Sequence, residues 1–428
     1  MKILLKNVRV LHPGFGTEPH HLLLDGGAYR SIWPSAQAPA ALEADQVIHI
    51  HNLHLSAGWC DLRASFGEPG LEYKEDLDSG CQAAAAGGFT DVLLMPNTEP
   101  VIDTKNGVRF ILNHTTPYPV RLHVAAAITA GAKGEYLTEV LDLHQAGARA
   151  FTDGAHPLSD PALVVRALQY LQKIGGVFMN QAQEPRLMQG GQMHEGINST
   201  LLGMKGIPSL AEEVALLRDI ELLRYAGGRM HISCLSTAAG VALVRKAKAE
   251  GLALTADVAM HNLLFTDAAL LDFDTNFKLD PPLRSEQDRQ ALLEGLREGT
   301  IDAIVTDHRP EDTENKRLEF DLAAVGATGL QTAYAALSAL PELPQEVLIE
   351  KLTSGPRRVL GLPQAEIKEG APACCTLFVP DAPWRLDGES NRSHSQNSPY
   401  WQQELRGKAV GIIVAQKMYL DESSIRVG

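Results

Sequence analysis

From the first residue to about residue 55, apolar and polar positions alternate with period two, in ILLKNVRVL, HLLLD, AYRSIW and VIHIHNLHL. Successive side chains of a strand point to opposite faces, so this pattern predicts an antiparallel, half-exposed sheet. Near residue 57 the pattern changes. Short apolar runs now alternate with amphipathic stretches of helical period. TDVLLMPN precedes NGVRFILNH, VRLHVAAAI precedes EYLTEVLDLHQAG, and ARAFTD precedes PALVVRALQYLQKIG. GVFMNQ, RMHISCLS, LALTADV and TIDAIVTD continue the series, interleaved with SLAEEVALLRDIELLRYAG, AAGVALVRKAKAEG and DRQALLEGLREG. Seven to eight strand-then-helix units over about 300 residues predict an α/β fold, a (β/α)8 TIM barrel with its chemistry at the C-terminal strand ends. A doubly wound open sheet alternates in the same way, but no GxGxxG or P-loop follows any of these runs. After about residue 365 strands return, in EIKEGAPACCTLFVP and LRGKAVGIIVAQKMYL. Two β-rich ends around one barrel predict a small β-sandwich domain built from residues 1–55 and 366–428, with the barrel over 56–365.

Composition narrows the function classes. The chain has 428 residues, 45% of them hydrophobic, which suffices for a large core. Its net charge of -14 comes from scattered acids and argues against nucleic acid or an anionic membrane as partner. No run approaches the ~20 apolar residues of a membrane span. The first apolar run is broken by Lys6 and Arg9 and reads as a strand rather than a signal peptide. Cys60, Cys81, Cys234, Cys374 and Cys375 are odd in number and form no CxxC, which reads as reduced thiols in a cytoplasmic protein.

Several stretches carry more than periodicity. AGWCDLRASFGEPG leads into a helix rich in small residues and then GGFTDVLLMPNTEP. GARAFTDG, HISCLST, NFKLDPPLR, GTIDAIVTDHRP, EFDLAAVGATGLQTA and SHSQNSPY follow in order. Together these resemble the dihydroorotases of the amidohydrolase superfamily, most of all the class found alongside aspartate transcarbamoylase. The resemblance covers essentially the whole chain. It implies the barrel with a β-sandwich from both termini, and the reversible cyclisation of N-carbamoyl-L-aspartate to dihydroorotate. It also implies zinc, which polarises the reluctant carboxylate and makes hydroxide for the reverse reaction, with an Asp after the last strand moving the proton.

The ligand set of that chemistry is histidine-rich, and here it has changed. The family motif DxHxH reads Asp61, Arg63 and Ser65 in this chain. Arginine has no lone pair to give and puts a cation where the metal should be. The carboxylate-gripping arginine of the family corresponds to Gly67. Gln181 stands at the next metal histidine, with Gln183 after it, and Cys234 at the fourth. Cysteine binds zinc well as a thiolate, so Cys234 alone is tolerable. Asp153 matches the acidic ligand of this class, Asp307 the catalytic base, Asn97 a substrate-contacting asparagine, and His261, followed by Asn262, a substrate-binding pair. Asp280 replaces the asparagine of KxNPPLR, while Arg309 and Glu311 enter the TDHRPED loop. An Asp at a strand end also commonly ties down a loop, so Asp153 and Asp307 carry a structural reading too. His49 and His51, with His54 nearby, form an HxH that reads as a solvent-facing strand edge outside the barrel.

Three readings follow. The first is a non-catalytic dihydroorotase-like protein without metal, kept as a structural or regulatory partner of aspartate transcarbamoylase in a homo- or hetero-oligomer. The second is an active cyclic amidohydrolase with zinc in an altered site drawing on Asp61, Asp153, Cys234, His261 and Asp307. The third is a sensor whose mouth, with Arg63, Asn97, His261 and Arg309, binds an anionic pyrimidine precursor without converting it.

Overall fold

The computed structural model describes residues 1–39 and 42–421. Its opening strands are β1 (Lys2–Leu11), β2 (His20–Asp25), β3 (Ala28–Pro34), β4 (Gln46–Ile48) and β5 (His54–Ala57). The chain then enters eight parallel strands, interrupted by the small pair β11 (Met193–His194) and β12 (Gly206–Ile207). These eight are β6 (Trp59–Ala64), β7 (Phe89–Leu94), β8 (Arg121–Ala126), β9 (Ala150–Phe151), β10 (Val177–Asn180), β13 (Met230–Ile232), β14 (Leu254–Ala259) and β15 (Ala303–Val305). They lie side by side in chain order and curl into a nearly closed barrel. Helices such as Leu77–Gly87, Pro161–Gln172, Leu210–Ala226 and Glu286–Arg297 return the chain between strands.

Alternation along each strand builds two cores at once. Leu62, Leu93, Ala125, Val177, Met179, Ala303 and Val305 fill the barrel interior. Val92, Leu94, Val124, Phe178 and Ile304 face the helices instead. Each fully buried aliphatic side chain of this kind contributes roughly 1.5–3 kcal/mol. The last seam, between β15 and β6, is closed differently. Ala64 and His308 form a single parallel bridge. Just below it the Asp61 carboxylate accepts the Thr306 N–H at 3.0 Å and the Thr306 hydroxyl at 2.5 Å.

The last strands, β16 (Cys374–Arg385), β17 (Glu404–Val414) and β18 (Lys417–Leu420), rejoin the first ones. β16 pairs with β5, so both ends of the chain contribute to one sheet. That sheet is mixed, where period two alone predicts an antiparallel one. β1 pairs in parallel with β4 over its first half and with β5 over its second, because the long excursion through β2 and β3 brings the chain back in the same sense. VIHIHNLHL is also two strands with a turn between them, and His49 and His51 are exposed in that turn rather than on a strand edge. His54 is no surface residue: it is buried, with its ring 5.6 Å from that of Phe378. Residues 422–428 of the expected second domain segment lie outside the described residues.

Candidate active site

Arg63 sits near the end of β6, buried to 5% exposure, and its side chain runs into the mouth of the barrel. Its Nε donates to Asp307 Oδ1 at 2.8 Å and its Nη2 to Gln181 Oε1 at 2.7 Å. Three of the positions singled out from sequence are thereby tied into one clamp. Arg63, Ser65, Asn97, Asp307 and Arg309 all line one cavity of about 100 Å³ at the C-terminal strand ends. Lys74 and Glu311 complete its charged wall, paired to each other at 2.8 Å. The guanidinium of Arg309 has no ion-pair partner among the described residues.

Other candidate residues are spent on loop geometry. The Asp153 carboxylate accepts the Thr129 N–H at 2.9 Å and the Thr129 hydroxyl at 2.5 Å. Asn97 donates to the Asp153 carbonyl and accepts from the Ala155 N–H, both at 3.0 Å. It therefore pins the loop that follows β9, and Gly154 (φ +62°) makes room, since a Cβ there would lie 1.8 Å from Asn97 Oδ1. Asp280 accepts from Gln183 Nε2 at 2.8 Å. Neither His261 nor Asp280 nor Cys234 lines the cavity.

Electrostatics follow from burial. Desolvation raises the Asp307 carboxyl above its usual range, while Arg63 and Arg309 pull the other way. Burial pushes the Cys234 thiol well above the usual thiol range, against the pull of Arg63. His261 is fully buried, neither ring nitrogen has a hydrogen-bond partner among the described residues, and burial lowers its pKa to about 4. Cys234 (φ 54°) and Asp307 (φ 45°) both hold left-handed backbone, a conformation that costs a non-glycine residue about 1 kcal/mol or more and gathers at functional sites.

Comparison with known proteins names this architecture. Residues 54–239 match the family model "Dihydro-orotase-like". A dihydroorotase of Pelotomaculum thermopropionicum is 40% identical over 432 aligned positions, covering 100% of both chains. The chain belongs to the dihydroorotase family. A dihydroorotase of Syntrophus aciditrophicus is 38% identical over 99% of this chain and 100% of its own. Among solved structures, the L-hydantoinase (dihydropyrimidinase) of Arthrobacter aurescens superposes with a TM-score of 0.85 at 21% identity, covering 98% of this chain and 96% of that one. That likeness establishes the fold: a TIM barrel with an attached β-sandwich.

The dihydroorotase frame implies zinc at the mouth, and the residues present do not fit it. A guanidinium carries only N–H donors, and those of Arg63 point at the groups a metal would need to share. Gln181 Oε1 is already taken, and the Cys234 thiol is held protonated by burial. Among the described residues, no three His, Cys, Asp or Glu side chains gather as a metal site. The carboxylate-gripping position is closed as well: a Cβ on Gly67 would lie 2.1 Å from the Leu71 carbonyl oxygen. Sequence reading missed Lys74 and Thr129, which reach the site only through folding, and passed over Met95 although it opens the MPNT motif. It also missed the pairing of Asp61 with Thr306, although both belong to stretches singled out from sequence.

Proposed function

We propose that this chain serves pyrimidine biosynthesis as a dihydroorotase-type protein in the cytoplasm. Full-length identity of 38–40% to proteins named dihydroorotase supports that reading. Within it, the geometry of the mouth favours a protein without the family's zinc chemistry. The single observation that carries this is the Arg63 clamp, a permanent cation hydrogen-bonded to the family base position Asp307 and to Gln181. Such a protein acts as a structural or regulatory partner, with aspartate transcarbamoylase the partner that the family resemblance implies. The expected result is co-purification, with transcarbamoylase stability or activity falling when this chain is removed; identical behaviour without it refutes the partnership.

A second reading, an active cyclic amidohydrolase with an altered site, is the one the relatives' names favour over the partner role. In that reading Asp307 keeps the base position, and metal binding would have to draw the proton from the buried Cys234 thiol. Zinc content and turnover of N-carbamoyl-L-aspartate or dihydroorotate decide between the two. A pocket for an anionic precursor is compatible with either, since Arg309 lines the cavity wall with no ion-pair partner among the described residues. A thermal shift with carbamoyl aspartate tests it.

A further inference from the structure

At the opposite end of the barrel, where β7 and β8 begin, an unusual excess of cations surrounds one thiol. Asp91, 1% exposed, accepts from Arg121 Nε at 2.9 Å and Nη2 at 2.7 Å, and from Arg357 Nη2 at 2.6 Å. His123 Nε2 lies 2.9 Å from the same carboxylate. One carboxylate thus faces two guanidiniums, and the charge is not balanced within the group. Cys374, the first residue of β16, brings its Sγ to 3.1 Å from Arg121 Nη2 and 3.7 Å from Arg357 Nη2. Its hydroxyl neighbour is Thr90, at 3.6 Å.

Two further observations point outward from the cluster. Arg121, His123, Arg357 and Cys374 line a cavity of about 330 Å³, and the Arg121 side chain is 45% exposed at its rim. Arg357, only 3% exposed and on the same wall, has an Nε with no hydrogen-bond partner among the described residues. Cys374 is 7% exposed and lines this cavity, whereas Cys60, Cys81 and Cys375 are fully buried and Cys234, which faces Arg63 in the barrel mouth, is 2% exposed.

From this arrangement we propose that Cys374 is a peroxide-reactive modification site. A cysteine reacts as its anion, and guanidinium donors aimed at sulfur favour negative charge there and on a sulfenate oxygen. In the step, Cys374 gives up its thiol proton and the sulfur attacks one oxygen of hydrogen peroxide. The S–O bond forms as the O–O bond breaks, and the departing hydroxide takes up that released proton to leave as water. Sulfur loses two electrons and the peroxide gains them. The cavity provides room for the added oxygen beside Arg121. The Cys374 carbonyl also accepts the Gly58 N–H at 3.0 Å, so the modified residue lies on the seam between terminal sheet and barrel.

The test treats the full-length protein with hydrogen peroxide, traps sulfenic acid with a 1,3-diketone, and maps the label by peptide mass spectrometry. Cys374 is expected to be labelled while Cys60, Cys81, Cys234 and Cys375 stay as thiols. Labelling of Cys374 should be faster in the folded protein than in urea, the reverse of the other four. Arg121→Gln should slow it by about tenfold while Asp91 keeps Arg357 and His123. Absence of label at Cys374, slower labelling when folded, or an unchanged rate in a folded Arg121→Gln protein overturns the proposal. The folded-against-urea comparison needs no variant, so it decides even where a substitution disturbs folding.

Discussion

The Arg63 guanidinium and the Asp307 carboxylate meet at 2.8 Å, both almost completely buried, in the mouth of a dihydroorotase-type barrel. By the motif resemblance, that carboxylate corresponds to the base position and Arg63 to a metal histidine. The guanidinium supplies a permanent positive charge beside that carboxylate, which keeps the mouth electrostatically coherent. It also leaves the carboxylate hydrogen-bonded to a group that cannot be displaced by water or substrate without breaking a buried pair.

Arg63→Met removes the charge and leaves Asp307 unpaired beneath the surface. Breaking a buried pair from one side typically costs about 3–5 kcal/mol. Asp307 already has a raised pKa from burial, so the variant can recover by protonating it. A raised folded pKa means stability lost as pH rises, so the Arg63→Met deficit should be large near neutrality and shrink on the acid side. Urea denaturation of both proteins at several pH values measures this.

Asp61 gives a pH signature of its own. Burial pushes its pKa up to about 7, despite the Thr306 donors, against roughly 3.9 in an unfolded chain. The folded state holds the proton more tightly, so this group's contribution is full below about pH 4 and fades as pH rises through 7. Asp61→Asn keeps an acceptor for the Thr306 N–H and should flatten that part of the stability profile. Asp61→Ala leaves the Thr306 N–H buried without a partner and should cost about 1–3 kcal/mol at any pH.

His261 predicts the opposite slope. Its pKa of about 4 is depressed by burial below the usual 6.5, so its contribution is present above pH 6.5 and lost as pH falls toward 4. His261→Leu should therefore lose less stability than the native protein between pH 7 and pH 4. Thermal melts at those two values check the sign.

Asn97 and Gly154 are coupled sterically. Gly154→Ala places a methyl group against Asn97 Oδ1 and demands a positive φ of alanine, so it should destabilise by more than 1 kcal/mol. Asn97→Ala alone loses the hydrogen bonds to Asp153 and Ala155, about 1–3 kcal/mol. The double variant should cost less than the two singles together, because removing the amide removes the clash. A double-mutant cycle in denaturant reads the coupling.

The barrel was legible from sequence because helix and strand periods alternate so regularly between TDVLLMPN and TIDAIVTD. Arg63, Gln181 and Asp307 stand at motif positions and meet in one clamp, although their spacing along the chain says nothing of contact. What the sequence withheld was partnership. The Arg63 clamp joins residues 118 and 244 positions apart, and the Asp153 carboxylate turned out to be fastened to Thr129. The mixed pairing of β1 was hidden for a related reason: alternation specifies which face is apolar, not the direction of the neighbouring strand. His54 shows the same limit, since its period-two position does not reveal that β16 lays Phe378 over it.

Zinc content measured together with dihydroorotase turnover on the same purified, full-length protein tests the central claim most directly. The Arg63 clamp predicts no stoichiometric zinc and no metal-dependent interconversion of N-carbamoyl-L-aspartate and dihydroorotate. About one zinc per chain with turnover abolished by a chelator and restored by zinc would contradict it.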